Sequence, residues 1–298
     1  MTRTVIVPLD GSDASEEALG IAQRIQERQG SKLKLLSVVE VTTEFDAWIE
    51  TAPFTLEDEL DSWLEERRGY LADVASRLGD NVETEVRVGR PADEICAAVE
   101  AAGPAVVVMA SHGRGGLQQF VLGSVALSVV HDVHCPVVVV HMQGDGAEAP
   151  SRLDSVLLPT DGSSFSESVI DEALAILGEP KPDVRLIQVL EHPAWAANSM
   201  NAGLVSEYLD ASREAAQNHL DEMAAKLRER GYSAEAELRS GSAADGILES
   251  AAQNRVHMIA IATHGRGGVG RLLLGSVAQR VLQRTDVPLL LIRPASEE

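Results

Sequence analysis

The chain has 298 residues, which is enough for two domains, since domains cluster at about 100–150 residues. With 45% hydrophobic residues it can bury a core, which excludes global disorder. The 46 acidic residues outnumber the 25 basic ones, for a net charge of −21, and aromatics make up 3%, so nucleic-acid binding is not expected. No apolar run reaches the roughly 18–20 residues of a membrane span, and the start lacks a signal-peptide pattern. We therefore expect a cytoplasmic protein without a membrane partner.

Each half of the sequence alternates short apolar runs with helical patterns. In the first half the runs predict strands at Thr4–Pro8, Leu33–Val39, Thr84–Val88, Ala105–Met109 and Pro136–His141, with helices after Ser12 or Ser15, from Thr55, over Asp93–Ala101 and over Ser124–His131. In the second half strands are predicted near Val156–Pro159, Val184–Leu190, Ala234–Leu238, Met258–Ile261 and Leu289–Ile292, with a long helix over Glu207–Arg230. The alternating pattern of Thr84–Val88 predicts a strand near a sheet edge. Cys96 and Cys135 form no C-x-x-C pair and are expected to be buried, reduced thiols.

Three segments of the first half recur in the second half, 151 or 152 residues later and in the same order. A period this long indicates duplication of a whole domain, because solenoid repeats are about 20–50 residues long. A linker rich in Gly, Ala and Pro, Gln143–Ser151, separates the halves. The sequence therefore predicts domains at residues 1–143 and 152–298. The matched pairs are Val5–Ser12 with Val156–Ser163, Ala110–Gly116 with Ala262–Gly268, and Leu122–Ala126 with Leu274–Ala278.

Strands that alternate with helices predict an α/β fold, here two tandem doubly wound, Rossmann-like domains, each with a parallel five-stranded sheet. Ligands of such sheets bind outside the carboxyl ends of the strands, where the strand order reverses. A glycine-rich segment follows the fourth strand of each half at that edge. It reads Ala-Ser-His-Gly at 110–113 and Ala-Thr-His-Gly at 262–265, and nine residues later comes Gly-Ser at 123–124 and at 275–276.

These segments have the features of a phosphate site. Backbone N–H groups of glycine loops and of a helix N-terminus bind anions, and Arg114 and Arg266 add positive charge. The alternative is an ordinary glycine-rich connector ending in a helix cap. Its recurrence in two otherwise diverged halves favours a functional role. His112 and His264 have no evident partner acid or nucleophile, so no catalytic residue is predicted.

The combination resembles the universal stress protein family in its tandem-domain form. The nucleotide-binding branch of that family carries G-x2-G-x9-G followed by Ser or Thr; here the second glycine, the spacer and the Gly-Ser are kept, while Ala110 and Ala262 replace the first glycine. Alanine disfavours positive φ and puts a methyl group near the phosphates. The resemblance implies a fold like that of the adenine nucleotide alpha hydrolases and one ATP per domain, bound with Mg²⁺. It implies a stress-response sensor or regulator with little or no catalysis.

The resemblance also assigns site residues. The loops Pro8–Asp10 and Pro159–Asp161 match a proline-x-aspartate loop whose aspartate meets the ribose or adenine side, with helix capping as the alternative. Val38 and Val189 match an adenine-contacting position, with ordinary core packing as the alternative. The implied nucleotide-binding residues are Pro8, Leu9, Asp10, Val38, Met109, Ala110, His112, Gly113, Arg114, Gly116, Gly123, Ser124 and Val125 in the first half, and Pro159, Thr160, Asp161, Val189, Ile261, Ala262, His264, Gly265, Arg266, Gly268, Gly275, Ser276 and Val277 in the second.

Several points stay open at the level of sequence. The resemblance implies an intra-chain pseudo-dimer formed through the last strands and leaves room for a homodimer. A nucleotide-independent interaction scaffold and a slow ATPase are the alternative functions. His131–Cys135 looks like a metal cluster, but the matching Arg284–Pro288 has no ligand set, so a helix end is predicted instead. The aromatic residues between the second strand and the long helix either pack a loop or form a lid or an inter-domain contact: Phe45, Trp48, Phe54, Trp63, Tyr70, Trp195 and Tyr208.

Overall fold

The computed structural model describes residues 3–40, 53–111, 122–141, 150–191, 202–263 and 274–293, without the side chains of 53–58, 164–165 and 202. The chain divides into two compact units, Met1–Arg152 and Leu153–Glu298. Each unit is an α/β domain whose described strands pair in parallel, which confirms the predicted fold class.

The first unit has the strand order β3-β2-β1-β4-β5. The chain moves outward from β1 to β3 and then returns to place β4 on the other side of β1. The strand order therefore reverses between β1 and β4, where doubly wound sheets bind ligands. The elements are β1 Thr4–Pro8, α1 Asp13–Glu16, α2 Ala18–Gln29, β2 Leu33–Val39, α3 Pro53–Leu78, β3 Val82–Val88, α4 Pro91–Ala102, β4 Ala105–Ala110, α5 Ser124–Asp132 and β5 Val137–Val140.

The second unit repeats this topology with the order β10-β9-β6-β7-β8, and its strand order reverses between β6 and β9. The duplicated domain predicted from the internal repeat is therefore present as a duplicated fold. Its elements are β6 Ser155–Thr160, α6 Ser164–Leu177, β7 Asp183–Leu190, α7 Ala202–Glu229, β8 Ala234–Ser240, α8 Ala243–Asn254, β9 Met258–Ala262, α9 Ser276–Arg284 and β10 Leu289–Ile292.

The burial of the strands follows the sequence pattern. Every residue of β4 and of β5 is buried, as expected for continuous apolar runs in a parallel sheet covered on both faces. The alternating strand β3 is only partly buried and lies at the sheet edge, as predicted. Cys96 and Cys135 are free thiols, as predicted, but each is only partly buried, where buried thiols were predicted. Burial still raises the pKa of Cys135 to about 11.

The starts of the two long helices differ from the sequence prediction. Helix α3 begins at Pro53 rather than Thr55, and α7 begins at Ala202 rather than Glu207. A proline has no backbone N–H to lose in the first turn, so it opens a helix readily and Thr55 is not needed as its cap. The first turn of α7 contains no polar side chain, but Gly203 and Leu204 are exposed, so the turn lacks the buried face by which periodicity could detect it.

The third strand of each unit carries the same ion pair. In β3, Arg87 Nε donates to Glu85 Oε1 at 2.6 Å, and Lys34 Nζ donates to Glu85 Oε2 at 3.0 Å. In β8, Glu237 pairs with Arg239 in the matching positions. Burial raises the pKa of each carboxyl, but the hydrogen bonds and positive charges outweigh it, and the pKa values of Glu85 and Glu237 lie below the ordinary value.

These carboxylates are expected to make the folded chain sensitive to acid. A carboxyl with a lowered folded pKa stabilises the fold above its unfolded pKa of about 4.3, and this stabilisation is lost as the pH falls through the folded pKa. In urea titrations from pH 7 to pH 3, the midpoint should fall less steeply below about pH 5 for Glu85→Gln/Glu237→Gln than for the parent chain. The control is Glu100→Gln/Glu222→Gln, at two exposed positions. Equal acid slopes for the two double variants would contradict the assignment.

Candidate functional site

A cleft opens at the carboxyl ends of the strands in the first unit, where the strand order reverses. Its volume is about 760 Å³, within the range of small-molecule sites. Its walls are the β1–α1 loop, the ends of β2 and β4, the first turn of α5 and one side of α3. The structure brings nine of the predicted residues together here: Pro8, Leu9, Asp10, Val38, Met109, Ala110, Gly123, Ser124 and Val125. Predicted residues His112, Gly113, Arg114 and Gly116 lie outside the described residues.

The β1–α1 loop is organised by Asp10. Its Oδ1 accepts hydrogen bonds from the backbone N–H of Ser12 at 3.0 Å and from Ser12 Oγ at 2.5 Å. The side chain of Ser12 in turn caps α1 by accepting from the N–H of Ser15 at 3.2 Å. The same arrangement recurs at Asp161 and Ser163. The capping alternative for the two aspartates is therefore wrong: serine caps each helix, and the aspartate orients the serine.

The first turn of α5 presents backbone donors to the cleft. Gly123 is the N-cap residue, with extended backbone at φ −60° and ψ 152°, and no side chain caps the helix. Its own N–H donates to the carbonyl of Ser111 at 2.8 Å. The next N–H groups, of Ser124, Val125 and Ala126, have no acceptor among the described residues. Such a helix N-terminus offers several aligned donors and the positive end of the helix dipole to an anion.

The alanines that replace the first glycine of the motif are not strained. Ala110 lies in β4 opposite Val140, and Ala262 lies in β9 opposite Ile292. Among the described residues Arg255 is the one non-glycine residue with positive φ, so neither alanine adopts that conformation. The alanines therefore cause no backbone strain. Their remaining effect on the first cleft is the methyl group of Ala110, which lines its wall.

The apolar end of the first cleft is formed by the neighbouring strand ends. Val38 is only partly buried and lines the cleft, so it is not an ordinary core residue. In the second unit Val189 faces α8 instead: an ideal Cβ placed on Gly246 would lie 2.9 Å from Val189 Cγ2. Glycine at this position lets the helix approach the valine.

Three residues of α3 line the first cleft without having been predicted as site residues, namely Trp63, Glu66 and Arg67. The guanidinium of Arg67 donates through Nη1 to the carbonyl of Asp10 at 2.7 Å, and Trp63 is 38% exposed. Trp63 and Arg67 are four residues apart and so lie on one side of the helix. In the sequence, Trp63 is one of several aromatic residues whose role the pattern alone does not decide. Tyr70 packs elsewhere: its hydroxyl donates to Glu16 at 3.1 Å, and burial together with this carboxylate raises its pKa to about 12.

The second unit differs. A cleft of about 400 Å³ lies between the end of β7 and α7, lined among others by Gly162, Gln188, Ser212, Ala216 and His219. None of the nine described predicted residues of this unit lines that cleft: Pro159, Thr160, Asp161, Val189, Ile261, Ala262, Gly275, Ser276 and Val277. The other four, His264, Gly265, Arg266 and Gly268, lie outside the described residues.

Local details of the second unit still repeat those of the first. Gly275 is the N-cap of α9, without a side-chain cap, and its N–H donates to the carbonyl of Thr263 at 2.7 Å. Thr160 replaces Leu9 and is buried; its Oγ1 accepts from the N–H of Gly162 at 3.0 Å and lies 2.7 Å from Ser166 Oγ. The hydroxyl of Thr160 therefore holds the loop rather than facing a ligand.

Three further observations concern metal sites, the predicted helix end and membrane-spanning helices. Over the described ranges no group of three His, Cys, Asp or Glu side chains is arranged to hold a metal ion. In the predicted helix end at 131–135, His131 Nδ1 lies 2.9 Å from Asp132 Oδ1. None of the described helices combines the length and the apolarity needed to cross a membrane.

Two tandem doubly wound α/β domains, with an open helix N-terminus at the reversal point of each sheet, define a class of α/β proteins suited to small anionic ligands. The family model of the universal stress protein family matches residues 1–141 and 153–293. The chain belongs to the universal stress protein family, in its tandem-domain form, which confirms the resemblance seen in the motifs.

Relatives of the same length support this assignment. A universal stress protein of Mycolicibacterium smegmatis is 28% identical over 296 residues, covering 97% of each chain. One of Mycobacterium tuberculosis is 26% identical over 301 residues, covering 97% of this chain and 96% of its own. The crystal structure of a universal stress protein from Archaeoglobus fulgidus superposes with a TM-score of 0.69 at 22% identity, covering 97% of this chain and 98% of the other. That likeness shows the shared fold.

Proposed function

We propose that the chain binds ATP in the first unit, and in the second unit through the matching residues, and that it acts as a stress-response sensor or regulator. The observation that carries the proposal is the first turn of α5. Its N–H groups have no acceptor among the described residues and face a cleft of about 760 Å³. A phosphate group supplies the acceptors that these donors lack.

The two ends of the cleft suit the two ends of a nucleotide. Gly123 and Ser124 line the cleft with donors for phosphate, while Val38 and Ile95 line it with apolar side chains for a base. Asp10, in the β1–α1 loop, also lines the cleft, where its carboxylate suits a ribose hydroxyl. Because the described residues offer no acidic cluster for a cation, Mg²⁺ would enter bound to the phosphates and neutralise part of their charge.

Binding without turnover is the favoured mode. The two Ser12 hydrogen bonds to Asp10 Oδ1 hold this carboxylate to the loop, and the sequence offers no partner acid or nucleophile for His112 or His264. Slow hydrolysis and a nucleotide-independent scaffold are the competing functions. The cytoplasmic location, the pairing of the two domains through their last strands and the association of whole chains stay predictions from the sequence.

Calorimetric titration with ATP and Mg²⁺ tests the proposal. We expect saturable binding by the full chain, and weaker binding by Gly123→Val/Gly275→Val, because a β-branched side chain at each N-cap crowds the phosphate position. A parallel assay for ADP and AMP should give no turnover above that of the double variant. Absence of binding at millimolar ATP would favour the scaffold, and turnover that the double variant loses would favour the ATPase.

A further inference from the structure

Arg67 has an unusual charge environment for this chain. Acidic residues outnumber basic ones 46 to 25, and neighbouring arginines of α3 are paired: Arg68 Nη1 lies 2.6 Å from Glu65, and Arg77 Nη2 lies 2.8 Å from Glu16. Arg67 is partly buried and makes one hydrogen bond within the described residues, to a backbone carbonyl, and no ion pair there. Its guanidinium has five N–H donors, so most of its donors are left for a ligand in the cleft.

The strand order places α3 away from the phosphate end of the cleft, and from there the guanidinium of Arg67 reaches the carbonyl of Asp10 in the loop after β1. The first turn of α5 follows β4, whereas α3 packs on β2 and β3. Since β1 lies between β2 and β4, and neighbouring strands are about 4.8 Å apart, the ends of β2 and β4 are separated by about 10 Å. That separation is comparable with the length of a nucleotide. A ligand whose phosphates meet α5 therefore directs its nucleoside toward α3.

We infer that Arg67, together with Trp63, contacts the nucleoside of the ligand bound in the first unit. The inference rests on the proposed function. A planar guanidinium both stacks on an aromatic ring and donates to ring nitrogens and ribose hydroxyls, and an indole offers a second stacking surface. The two side chains lie one turn apart on the same side of α3 and both line the cleft.

The helix α7 of the second unit can be aligned with α3 by a shared contact. Tyr70 Oη lies 3.1 Å from Glu16, and His219 Nε2 lies 3.5 Å from Glu167. Glu16 and Glu167 occupy matching positions of the internal repeat, 151 residues apart. Tyr70 and His219 therefore occupy corresponding positions on their helices.

This alignment puts small residues where the first unit has its two large ones. Ser212 corresponds to Trp63 and Ala216 to Arg67, and both line the smaller cleft of the second unit. Other α7 residues that line this cleft are Tyr208 and Arg213, whose Nη1 lies 3.7 Å from Asp210 Oδ1. The contact that we infer for Arg67 and Trp63 therefore belongs to the first unit.

Adenosine, ATP with Mg²⁺ and inorganic tripolyphosphate serve as probes in calorimetric titrations. Arg67→Ala should weaken binding of adenosine and of ATP in the first unit by about 10- to 100-fold, as expected for loss of charge-assisted hydrogen bonds, and leave tripolyphosphate binding unchanged. The matched control Arg68→Ala, on the next residue of the same helix, should bind all three like the parent chain. Trp63→Ala should likewise lower the affinity for adenosine and for ATP.

Arg67→Lys separates ligand contact from loop anchoring. A lysine can still donate to the carbonyl of Asp10, but it lacks the planar guanidinium. The affinity for adenosine should therefore stay below that of the parent chain. Parental affinity in Arg67→Lys would show that Arg67 only anchors the loop and would overturn the inference, as would equal affinities of Arg67→Ala and Arg68→Ala. Weakened tripolyphosphate binding would place Arg67 at the phosphates instead. If the parent chain binds neither ATP nor adenosine, the proposed function itself fails.

Discussion

Replacing Gly123 with aspartate is expected to abolish nucleotide binding by the first unit while leaving that unit folded. An aspartate at the N-cap accepts hydrogen bonds from the first-turn N–H groups, so it takes the donors that the phosphates would use. It also places a negative charge where the phosphates bind. Losing two or more charge-assisted hydrogen bonds, each contributing about 1.5–3 kcal/mol, lowers the affinity for ATP by more than about 100-fold.

The same substitution should not lower stability. Gly123 has extended backbone at φ −60°, which any residue adopts, and aspartate is a better N-cap than glycine by a few tenths of a kcal/mol. The matched control is Gly123→Ala, which adds a methyl group without a hydrogen-bond acceptor or a charge and should retain most of the affinity. ATP titration and urea unfolding of the three proteins check this. Parental ATP affinity in a folded Gly123→Asp protein would exclude this helix end as the phosphate site.

The largest effect on stability is expected from the centre of each sheet. Ile6 in β1 and Leu157 in β6 occupy matching positions of the internal repeat, and both are fully buried. Truncating either to alanine removes buried methyl groups and leaves a cavity, which costs about 2–5 kcal/mol in unfolding free energy. Each strand is central in its own sheet, with neighbours on both sides, so the surroundings can collapse only in part.

Urea unfolding measures this effect, with exposed leucines as controls. Leu127 is 52% exposed and Leu204 is 61% exposed, so Leu127→Ala and Leu204→Ala should change the unfolding free energy by less than about 0.5 kcal/mol. If Ile6→Ala and Leu157→Ala are no more destabilising than these controls, the two positions are not the packed centres that the structure assigns.

The pattern of apolar runs was sufficient to predict the strands. Leu33–Val39 and Leu289–Ile292 have the predicted bounds, because buried strands of a parallel sheet are mostly apolar and polar residues follow them. The start of α7 was harder to predict, since residues 203–207 are exposed or only partly buried and present no buried face that would create a period. The role of Asp10 also needed structure, because its short side chain can cap a helix or brace a loop, and only hydrogen-bond geometry separates the two.

The sequence by itself determined that the chain contains two copies of one α/β domain, because a duplication leaves matched segments at a nearly constant offset whatever the fold is. It also determined the family, through glycine loops whose backbone function restricts the residues allowed there. Only the tertiary structure decided which side chains reach the cleft from α3. Arg67 and Arg68 are adjacent in sequence, and the rotation of the helix on the sheet alone turns one toward Asp10 and the other toward solvent. That rotation depends on packing between elements distant in the chain, which local pattern does not encode.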